Sequence, residues 1–397
     1  MVNIRINNKD YTVNEGITIL EAASQAGIKI PTLCFLKNIN EIGACRVCVV
    51  ELKGKDTLVA SCNTLVEEGM DILTNSPRVR QARKANVEFI LAHHNTNCTS
   101  CTRSGNCSLQ EVANTLNIGK LPFKRDYEKK EWDRSFPITR NASKCIKCMR
   151  CVQICDKVQG IGIWDIVNTG KRTSVDVYES KKITETECAL CGQCITHCPT
   201  GALHERDDTE RLLAAISDPD TTVVVQIAPA VRAAWGEGLG LSPEVATEKR
   251  MVAAVRALGV DYVFDTLFSA DLTIMEEGNE FIERMTHRYK YVKPMFTSCC
   301  PGWVRFLKSQ YPDMTANLST AKSPQQMFGA VTKSYYAELM GIDPAKIFCV
   351  SIMPCVAKKQ ECEIPVMNDA GAGQDVDLSI TTRELDRMLK ASLLNVE

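Results

Sequence analysis

The chain contains the stretch Cys145-Ile-Lys-Cys148-Met-Arg-Cys151-Val-Gln-Ile-Cys155 and, further on, the stretch Cys188-Ala-Leu-Cys191-Gly-Gln-Cys194-Ile-Thr-His-Cys198-Pro199. Both stretches separate their four cysteines by two, two and three residues. Short Cys-x-x-Cys intervals suit the geometry of metal sites, and thiols inside cells are kept reduced instead of forming disulfides. The two stretches therefore predict metal centres, and they decide how this part of the chain folds.

The two stretches resemble the repeat of bacterial two-cluster ferredoxins, in which the fourth cysteine of each run binds the cluster of the other run. The resemblance implies a domain over residues 138–209 with two 4Fe-4S clusters. One cluster would be bound by Cys145, Cys148, Cys151 and Cys198, and the other by Cys188, Cys191, Cys194 and Cys155. Zinc is not expected here, because two four-cysteine runs of identical spacing, the second followed by Pro199, are typical of iron-sulfur clusters and of few other sites.

An earlier group of cysteines is spaced more widely and consists of Cys34, Cys45, Cys48 and Cys62. The small residues Gly43 and Ala44 allow a loop to wrap closely around a cluster, with backbone N–H groups turned toward sulfide. The group resembles the plant-type 2Fe-2S ferredoxin and its β-grasp fold, over residues 1–78, although the first interval is ten residues instead of four. The longer interval is associated with the amino-terminal domains of NADH dehydrogenase large subunits and iron-only hydrogenases. A structural zinc site on the same thiolates is the alternative.

The local structure around these cysteines follows from the residue pattern. Residues 1–30 predict a strand, a turn, a second strand and then a helix that begins at Thr18 and ends at Gly27. A further helix is predicted over residues 76–94. These elements place the first cysteines in loops between regular structure.

A third group of candidate ligands combines one imidazole with three thiolates within fourteen residues: His94, Cys98, Cys101 and Cys107. We predict a small domain over residues 79–137 that binds a 4Fe-4S cluster through them. Replacing a thiolate by a neutral imidazole removes a negative charge and should raise the reduction potential of the cluster. His93 could serve as the ligand on spacing alone. The resemblance to hydrogenases and NADH dehydrogenases favours His94.

Composition sets the limits of the remaining interpretation. The chain has 397 residues, 45% of them hydrophobic and 24% charged, and a formal net charge of -1. The length predicts two to four domains, and the net charge gives no indication of a nucleic-acid partner. Together with the domains that the resemblances imply, the expected fold class is multidomain α+β. The amino terminus has no signal-peptide core, and no run approaches the roughly 20 apolar residues that cross a bilayer. We therefore expect a cytoplasmic location and no membrane span.

After residue 210 cysteine becomes scarce and short apolar runs alternate with helical patterns. Strands are predicted over residues 222–228, 261–265, 295–298 and 347–353, and helices over residues 248–258, 270–285 and 323–339. This alternation predicts an α/β lobe with a largely parallel sheet. Functional residues in such lobes gather at the carboxyl ends of strands, where Ala228-Pro-Ala, Cys299-Cys300 and Pro354-Cys355 lie.

Three strings in this lobe resemble motifs of the iron-only hydrogenase family: Thr297-Ser-Cys-Cys-Pro-Gly-Trp303, Ala321-Lys-Ser-Pro-Gln-Gln-Met-Phe-Gly329 and Ile352-Met-Pro-Cys-Val-Ala-Lys-Lys359. The resemblance extends over essentially the whole chain, including the order of the four upstream cluster sites. It implies that residues 210–397 form part of the α/β catalytic domain. The family reaction is the reversible reduction of protons to dihydrogen. It uses the H-cluster, a 4Fe-4S cluster joined through a cysteine sulfur to a two-iron unit with carbon monoxide, cyanide and a bridging dithiolate.

The resemblance also implies roles for individual residues. Cys300 and Cys355 would bind the 4Fe-4S part of the H-cluster, and Cys299 would be the thiol that passes protons to the two-iron unit. Lys358 would lie beside a cyanide ligand. The other contacts implied with the two-iron unit are those of Met353 and Gln325. A proton route from Cys299 toward the surface would use Glu277, Glu280, Ser319 and Arg284.

Structural alternatives exist for several of these residues. A cysteine beside a cysteine is often only small and apolar, Glu280 and Arg284 could form an ordinary surface i,i+4 pair, and Met353 could be a core residue. The resemblance decides against these alternatives. Cys349 and Cys362 match no motif position, and we interpret them as structural.

Two features depart from the family pattern. The family's third motif is a segment with two cysteines three residues apart, which supplies the remaining two thiolates of the H-cluster, and no cysteine follows Cys362 in the printed sequence. We therefore expect this chain to carry an incomplete catalytic domain. The second departure is Ala230, where many relatives have Ser.

Three functions are compatible with these patterns. The first is a hydrogenase catalytic subunit, supported by Cys299, which sensor relatives commonly lack. Its electron donors would be ferredoxin or NAD(P)H-oxidising flavoprotein subunits, because no G-x-G-x-x-G follows a predicted strand. Hydrogenase maturation proteins would be further partners. The second is an electron-transfer module without hydrogen chemistry, and the third is an iron-sulfur subunit of an NADH or formate dehydrogenase.

Overall fold

The computed structural model describes residues 1–287 and 289–394, so the last three residues of the predicted catalytic domain lie outside the described part. The chain forms two compact units. Unit 1 consists of residues 1–133, 139–186 and 193–204, and unit 2 consists of residues 134–138, 187–192 and 205–397. The boundary therefore lies close to the second cysteine run.

Unit 1 begins with a five-stranded sheet and one helix: β1 (Val2–Ile6), β2 (Lys9–Val13), α1 (Ile19–Gln25), β3 (Val49–Leu52), β4 (Leu58–Ala60) and β5 (Asp71–Leu73). The strand order is β2-β1-β5-β3-β4, in which only the β1–β5 pair is parallel. Thr18 caps α1 through a capping box with Glu21. The predicted strand, turn, strand and helix are confirmed.

The rest of unit 1 carries further elements between the cysteine-bearing loops: α2 (Pro77–Ala92), α3 (Ser108–Thr115), β6 (Ile138–Arg140), α4 (Arg150–Gln153), β7 (Trp164–Val167), β8 (Ser174–Val177), α5 (Gln193–Thr196) and β9 (Leu203–Glu205). The first residue of β6 and the last residue of β9 belong to unit 2. The Ser76 side chain accepts a hydrogen bond from the Val79 backbone and starts α2, which confirms the predicted helix. A π-helical segment, Ile154–Val158, carries Cys155. Long loops thus leave most cysteines free to face common centres.

Unit 2 contains the remaining helices and strands: α6 (Thr209–Ser217), β10 (Thr222–Ile227), α7 (Pro229–Ala234), α8 (Glu248–Ala257), β11 (Tyr262–Asp265), α9 (Leu267–Thr286), α10 (Pro301–Gln310), α11 (Pro324–Val331), α12 (Ala337–Met340), β12 (Ile347–Met353), α13 (Ala357–Cys362), β13 (Leu378–Thr381) and α14 (Thr382–Ala391). The four strands form one parallel sheet in the order β11-β10-β12-β13. Apart from the partly buried Phe348, the apolar side chains on β10 and β12 are almost fully buried, as both faces of the sheet are covered. The predicted α/β lobe is confirmed.

One predicted strand is wrong. Residues 295–298 form no strand of the sheet, and Phe296 makes only an isolated bridge with Leu318. In this bridge the Phe296 N–H donates to the Asn317 carbonyl and the Phe296 carbonyl accepts from the Ser319 N–H, both over 2.7 Å. The run is too short and too polar after Phe296 to occupy a strand position buried on both faces. It therefore forms a loop that leads into α10.

Among the described residues, the structure has no helix long and apolar enough to cross a bilayer.

Candidate metal centres and active site

One predicted set of ligands surrounds a common cavity in unit 1. Cys145, Cys148, Cys151 and Cys198 line this cavity together with Trp164 and other residues. Burial, reinforced by the charge of the neighbouring Cys198, raises the pKa of Cys145 to about 11 and that of Cys148 to about 12. Crowded buried thiols of this kind become thiolates only beside a strong positive charge. The four residues therefore fit the crossed 4Fe-4S ligand set predicted from the spacing.

The backbone of this loop also suits a cluster. Lys147 and Met149, between the cysteines, have φ angles of 54° and 63°. Residues other than glycine rarely adopt this left-handed backbone conformation, which turns successive N–H groups toward one side. The Lys147 N–H donates to the Cys145 sulfur over 3.4 Å. The strained loop is therefore arranged to stabilise negative charge on sulfur.

The second crossed set is distributed between the two units. Cys155 and Cys194 belong to unit 1, and Cys188 and Cys191 lie on the segment 187–192 of unit 2. The Leu190 N–H donates to the Cys188 sulfur over 3.4 Å, as in the first run. The assignment of these four residues to one cluster stays a prediction from spacing.

Two thiol pairs form the amino-terminal candidate site. A hydrogen bond from the Cys34 thiol lowers the pKa of Cys45 to about 6, and one from Cys62 lowers the pKa of Cys48 to about 7. Gly43 has a φ of 64°, and a Cβ there would lie 2.8 Å from the Asn63 amide. The loop thus requires glycine, as the sequence suggested, and the four thiols fit a 2Fe-2S cluster.

The structure distinguishes the two candidate histidines. His94 is 5% exposed, and its Nδ1 atom has no hydrogen-bond partner within the described residues. Burial, reinforced by the Lys144 charge, lowers the pKa of His94 to about 4, so the imidazole stays neutral as a metal ligand must be. The exposed His93 instead has its Nδ1 atom 3.0 Å from the Phe89 carbonyl. The geometry fits His94 as the ligand.

The thiols predicted to join His94 approach the segment that follows α5. A Cβ at Gly201 would lie 2.6 Å from the Cys101 sulfur, so only glycine fits there. The Cys107 thiol lies 3.8 Å from the Pro199 carbonyl, and Arg103 donates to the Cys198 carbonyl over 2.7 Å. The candidate His94 site and the cavity lined by Cys198 are therefore close neighbours. Among the described residues, no three or more His, Cys, Asp or Glu side chains are grouped to hold a single metal ion.

In unit 2 the cysteine pair lies at the start of α10. Cys299 and Cys300 are exposed, and the Cys300 sulfur accepts a hydrogen bond from the Trp303 N–H over 3.4 Å. A Cβ at Gly302 would lie 3.0 Å from the Ala189 carbonyl, which explains the glycine of the motif. Burial raises the pKa of Cys355, which follows β12, and the charge of Cys300 raises it further. Cys300 and Cys355 are therefore brought to the same region.

A buried hydrogen-bond network supports this region. Lys358 donates to the Cys299 carbonyl over 3.0 Å and to the Glu361 carboxylate over 2.8 Å. Gln325 donates to Glu361 over 3.0 Å, and Ser323 donates to it over 2.9 Å. Glu361 was not predicted from the sequence. Its position three residues after Lys358 on α13 is the signal that could have indicated it.

The environment of Cys299 favours the protonated thiol. Although part of the Cys299 side chain is exposed, the protein atoms packed around it partly desolvate the thiol; this is the largest influence that raises its pKa, and the Glu277 charge acts in the same direction. The Lys358 charge opposes the increase. A thiol between an ammonium group and a carboxylate is placed to accept and return a proton.

Three of the predicted proton-route residues, Glu280, Ser319 and Arg284, are joined by hydrogen bonds, and the fourth, Glu277, makes a separate contact. Glu280 accepts hydrogen bonds from Arg284 over 2.6 Å and from Ser319 over 2.8 Å. Arg284 is 5% exposed and also donates to the Leu318 carbonyl, so the pair is not an ordinary surface pair. Burial opposes ionisation of Glu280, but bonds from Ser319 and the Thr320 backbone lower its pKa. Glu277 accepts from the Ser298 backbone over 3.4 Å, next to Cys299.

The remaining candidates occupy the core or its edge. Met353 is 5% exposed and packs in the main hydrophobic cluster of unit 2. Cys349 and Cys362 are buried in a second cluster, in agreement with a structural role. Cys362 also accepts a hydrogen bond from Gln325 over 3.2 Å and so contacts a candidate site residue. Ala230 is exposed on the first turn of α7.

The chain is similar to known proteins over nearly its whole length. The NADP-reducing hydrogenase subunit HndD of Solidesulfovibrio fructosivorans is 46% identical over 404 residues, which cover 98% of this chain and 68% of that protein. The chain belongs to the iron-only hydrogenase family. Iron hydrogenase 1 of Clostridium pasteurianum is 40% identical, again over 98% of this chain and 68% of the relative. The periplasmic [Fe] hydrogenase large subunit of Nitratidesulfovibrio vulgaris is 38% identical over 53% of this chain and 57% of the relative.

Family models match successive parts of this iron-only hydrogenase. They describe a 2Fe-2S iron-sulfur cluster binding domain (residues 1–77), an NADH-ubiquinone oxidoreductase-G iron-sulfur binding region (83–122), an NADH-quinone oxidoreductase subunit 3 ferredoxin-like domain (137–204) and the C-terminal domain of the iron only hydrogenase large subunit (221–397). The family assignment and the oxidoreductase function are therefore confirmed. The chain is a mixed α/β multidomain protein with ferredoxin-like and hydrogenase domains, and its family uses iron-sulfur clusters and the H-cluster.

Proposed function

We propose that this chain is the catalytic subunit that interconverts protons and dihydrogen, with electrons relayed through one 2Fe-2S and three 4Fe-4S clusters. The proposed organisation follows the sequence: a β-grasp 2Fe-2S domain (1–78), a 4Fe-4S domain with one histidine and three cysteine ligands (79–137), a two-cluster ferredoxin domain (138–209) and a catalytic domain (210–397). The observation that carries the catalytic part is the Lys358 ammonium group, which joins the Cys299 carbonyl to the buried Glu361 carboxylate.

The residues of unit 2 have distinct proposed tasks. When bound, the H-cluster supplies the iron centre at which protons and electrons are combined. Cys300 and Cys355 would hold its 4Fe-4S part, and Lys358 would present positive charge to the cyanide-bearing unit. Glu361 holds the Lys358 ammonium group through a 2.8 Å ion pair. Gln325 and Met353 would limit the space around the two irons.

Proton movement is proposed to begin at the Cys299 thiol. Glu277 accepts a hydrogen bond from the backbone of Ser298, the residue before Cys299. The next group along the proposed route is Glu280, which is hydrogen-bonded to Ser319 and Arg284. The Glu280 carboxylate is ionised at neutral pH, since its pKa is below the usual value. The ionised carboxylate can therefore accept a proton that comes from Cys299 by way of Glu277 and release it toward solvent.

Electron supply is proposed to come from partner proteins. HndD is named as a subunit of an NADP-reducing hydrogenase. The sequence of the present chain offers cysteine sites for electron transfer and no dinucleotide-binding fingerprint after a predicted strand. NAD(P)H-oxidising flavoprotein subunits or ferredoxin would then deliver electrons, and maturation proteins would install the two-iron unit.

Hydrogen evolution from a chemically reduced viologen tests this proposal, with the chain produced anaerobically together with the maturation proteins. We expect evolution that depends on the maturation proteins. Intact iron-sulfur signals without any hydrogen evolution would contradict the proposal and favour an electron-transfer subunit.

A further inference from the structure

One buried amide joins two of the candidate cluster loops. Asn40 is fully buried, and its Nδ2 group donates to the Cys34 carbonyl over 2.7 Å and to the Cys148 carbonyl over 2.8 Å. The two acceptors belong to residues 114 positions apart, each of them a candidate ligand of a different cluster. Both loops lie within unit 1. The amide thus forms a hydrogen-bonded link between the two sites.

A second side chain makes the same connection from the opposite loop. Arg150, between Cys148 and Cys151, donates to the Cys34 carbonyl over 3.3 Å and to the Phe35 carbonyl over 3.0 Å. The Cys34 carbonyl therefore accepts hydrogen bonds from Asn40, which follows it in the same loop, and from Arg150 in the loop that carries Cys148. The contact is a built interface between the two cluster loops and does not depend on Asn40 alone.

Within the described part of the chain, the carbonyl half of the Asn40 amide has no hydrogen-bond partner, although its NH2 half has two. The Oδ1 atom of Asn40 is buried and has no hydrogen-bond partner among the described residues. Such buried acceptors are uncommon in proteins and call for an explanation. An NH2 group supplies two donors from one nitrogen, whereas a hydroxyl supplies one. Asparagine therefore suits a position that must bind two carbonyls at once.

We propose that Asn40 is a positioning residue for electron transfer between the 2Fe-2S site and the 4Fe-4S site lined by Cys145, Cys148, Cys151 and Cys198. This inference rests on the proposed cluster sites. With both clusters bound, the step would pass one electron from the reduced 2Fe-2S cluster to the oxidised 4Fe-4S cluster, without proton transfer or bond cleavage. Asn40 fixes the separation of the two loops and provides a bonded path of few atoms between their ligand residues.

The test compares three variants of the full, cluster-loaded chain. Asn40→Leu has a similar volume and no donor, and Asn40→Ser keeps one donor on a shorter side chain. Asn86→Leu is the matched control, because Asn86 donates over 2.7 Å to the Arg46 carbonyl in the 2Fe-2S loop but contacts no second cluster loop through that bond. A control of this kind loosens one loop without removing the link.

Two readouts are needed. Electron paramagnetic resonance of the fully reduced chain reports whether each cluster is present, and rapid-freeze samples after flash reduction follow how one electron divides between them. We expect both cluster signals in every variant. Equilibration should be slower in Asn40→Leu, because the two loops are no longer held together by this amide, and unchanged in Asn86→Leu.

The possible results separate this inference from the proposed function. Unchanged equilibration in Asn40→Leu, or equal slowing in Asn86→Leu, would overturn it while leaving the cluster sites in place. Loss of only the 2Fe-2S signal in both Asn40 variants would also overturn it, since Asn40 would then hold a single loop. Absence of either signal in the unaltered chain would contradict the proposed sites themselves. If Asn40→Leu does not fold, slower equilibration in Asn40→Ser with both signals present supports the inference.

Discussion

Lys358 donates a hydrogen bond from its ammonium group to the backbone carbonyl of Cys299 over 3.0 Å, across 59 positions of the sequence. The two residues belong to separate motifs, one before α10 and one on α13. Because Glu361 neutralises the same ammonium group, the charge pair is buried without being left uncompensated. This contact fixes the loop that presents the proposed proton-carrying thiol.

Replacement of Cys299 by serine tests the proposed proton transfer. A hydroxyl group ionises far less readily than a thiol, so Cys299→Ser should lower hydrogen evolution by about 100-fold or more, the contribution of a general acid-base group. Iron content and cluster spectra should not change. Cys349→Ala, a change at a buried cysteine outside the three motifs, is the control. Equal turnover in Cys299→Ser and the unaltered chain would remove Cys299 from the proton route.

Removal of the Glu361 charge should weaken both stability and activity. Glu361→Gln leaves the Lys358 ammonium group buried without its counter-charge, which should destabilise the fold by roughly 3 kcal/mol. Thermal unfolding of the cluster-loaded chain measures this loss. Glu363→Gln on the same segment is the control, since its partly exposed pair with Arg206 should contribute less than about 1 kcal/mol. Equal unfolding temperatures for the two variants would refute the importance of the buried pair.

The stability of unit 2 should depend on Glu205 at acid pH. Burial raises the pKa of this carboxyl, but Arg383 and Arg387 outweigh burial and lower it to about 2. The ionised form therefore stabilises the fold above the usual pKa of about 4.5, and this contribution, about 3 kcal/mol, is lost as the pH falls toward 2. Denaturant unfolding between pH 7 and 3 should show a shallower decline in Glu205→Gln. The exposed Glu210→Gln should follow the unaltered chain, and parallel curves for all three would disprove the assignment.

Arg83 should raise the reduction potential of the 2Fe-2S site. Its side chain is buried on α2 and donates to the Val49 carbonyl, directly after Cys48, over 2.8 Å. A buried cation there favours the more negative, reduced cluster. Arg83→Gln should shift the midpoint potential to more negative values in a redox titration followed by electron paramagnetic resonance. Arg80→Gln, one turn earlier and exposed, should not, and identical potentials would contradict the prediction.

The two adjacent histidines should respond differently to substitution. His94→Ala removes the buried imidazole with its unpartnered nitrogen, so the signal of one 4Fe-4S cluster should be altered or lost while the others remain. His93→Ala should leave all signals unchanged, because its ring lies exposed beside the Phe89 carbonyl. Iron analysis and low-temperature spectra of both variants measure this. The reverse result would make His93 the ligand.

Much of the fold could be predicted because the relevant residues are close together in the sequence. Cysteine ligands within one loop follow fixed spacings, and the helix that begins at Ser76 shows its cap directly. The strands β10 and β12 are continuous apolar runs, which is typical of parallel strands buried on both faces. The run 295–298 is apolar only at Met295 and Phe296, so it resembles a buried strand over just two residues. Its backbone hydrogen bonds go to the segment around Leu318, and a local sequence pattern cannot show such a contact.

The contacts that sequence analysis missed join distant segments. Glu361 acts on Lys358 and on Gln325, and Asn40 connects two loops that no spacing rule relates. Arg83 has the residue type of an ordinary exposed helix position and is nevertheless buried against the cluster loop. Such roles depend on tertiary packing, so they could be found only once the side chains had been placed.

The central claim is that this chain holds a hydrogen-forming iron site beside Cys299, Lys358 and Gln325. The most direct measurement is an infrared spectrum of the chain produced with hydrogenase maturation proteins, searched for iron-bound carbon monoxide and cyanide. We predict both sets of bands, and a shift of the cyanide bands in Lys358→Met if the ammonium group faces that ligand. Absence of the bands beside intact iron-sulfur signals would contradict the claim and leave a chain that carries electrons without forming dihydrogen.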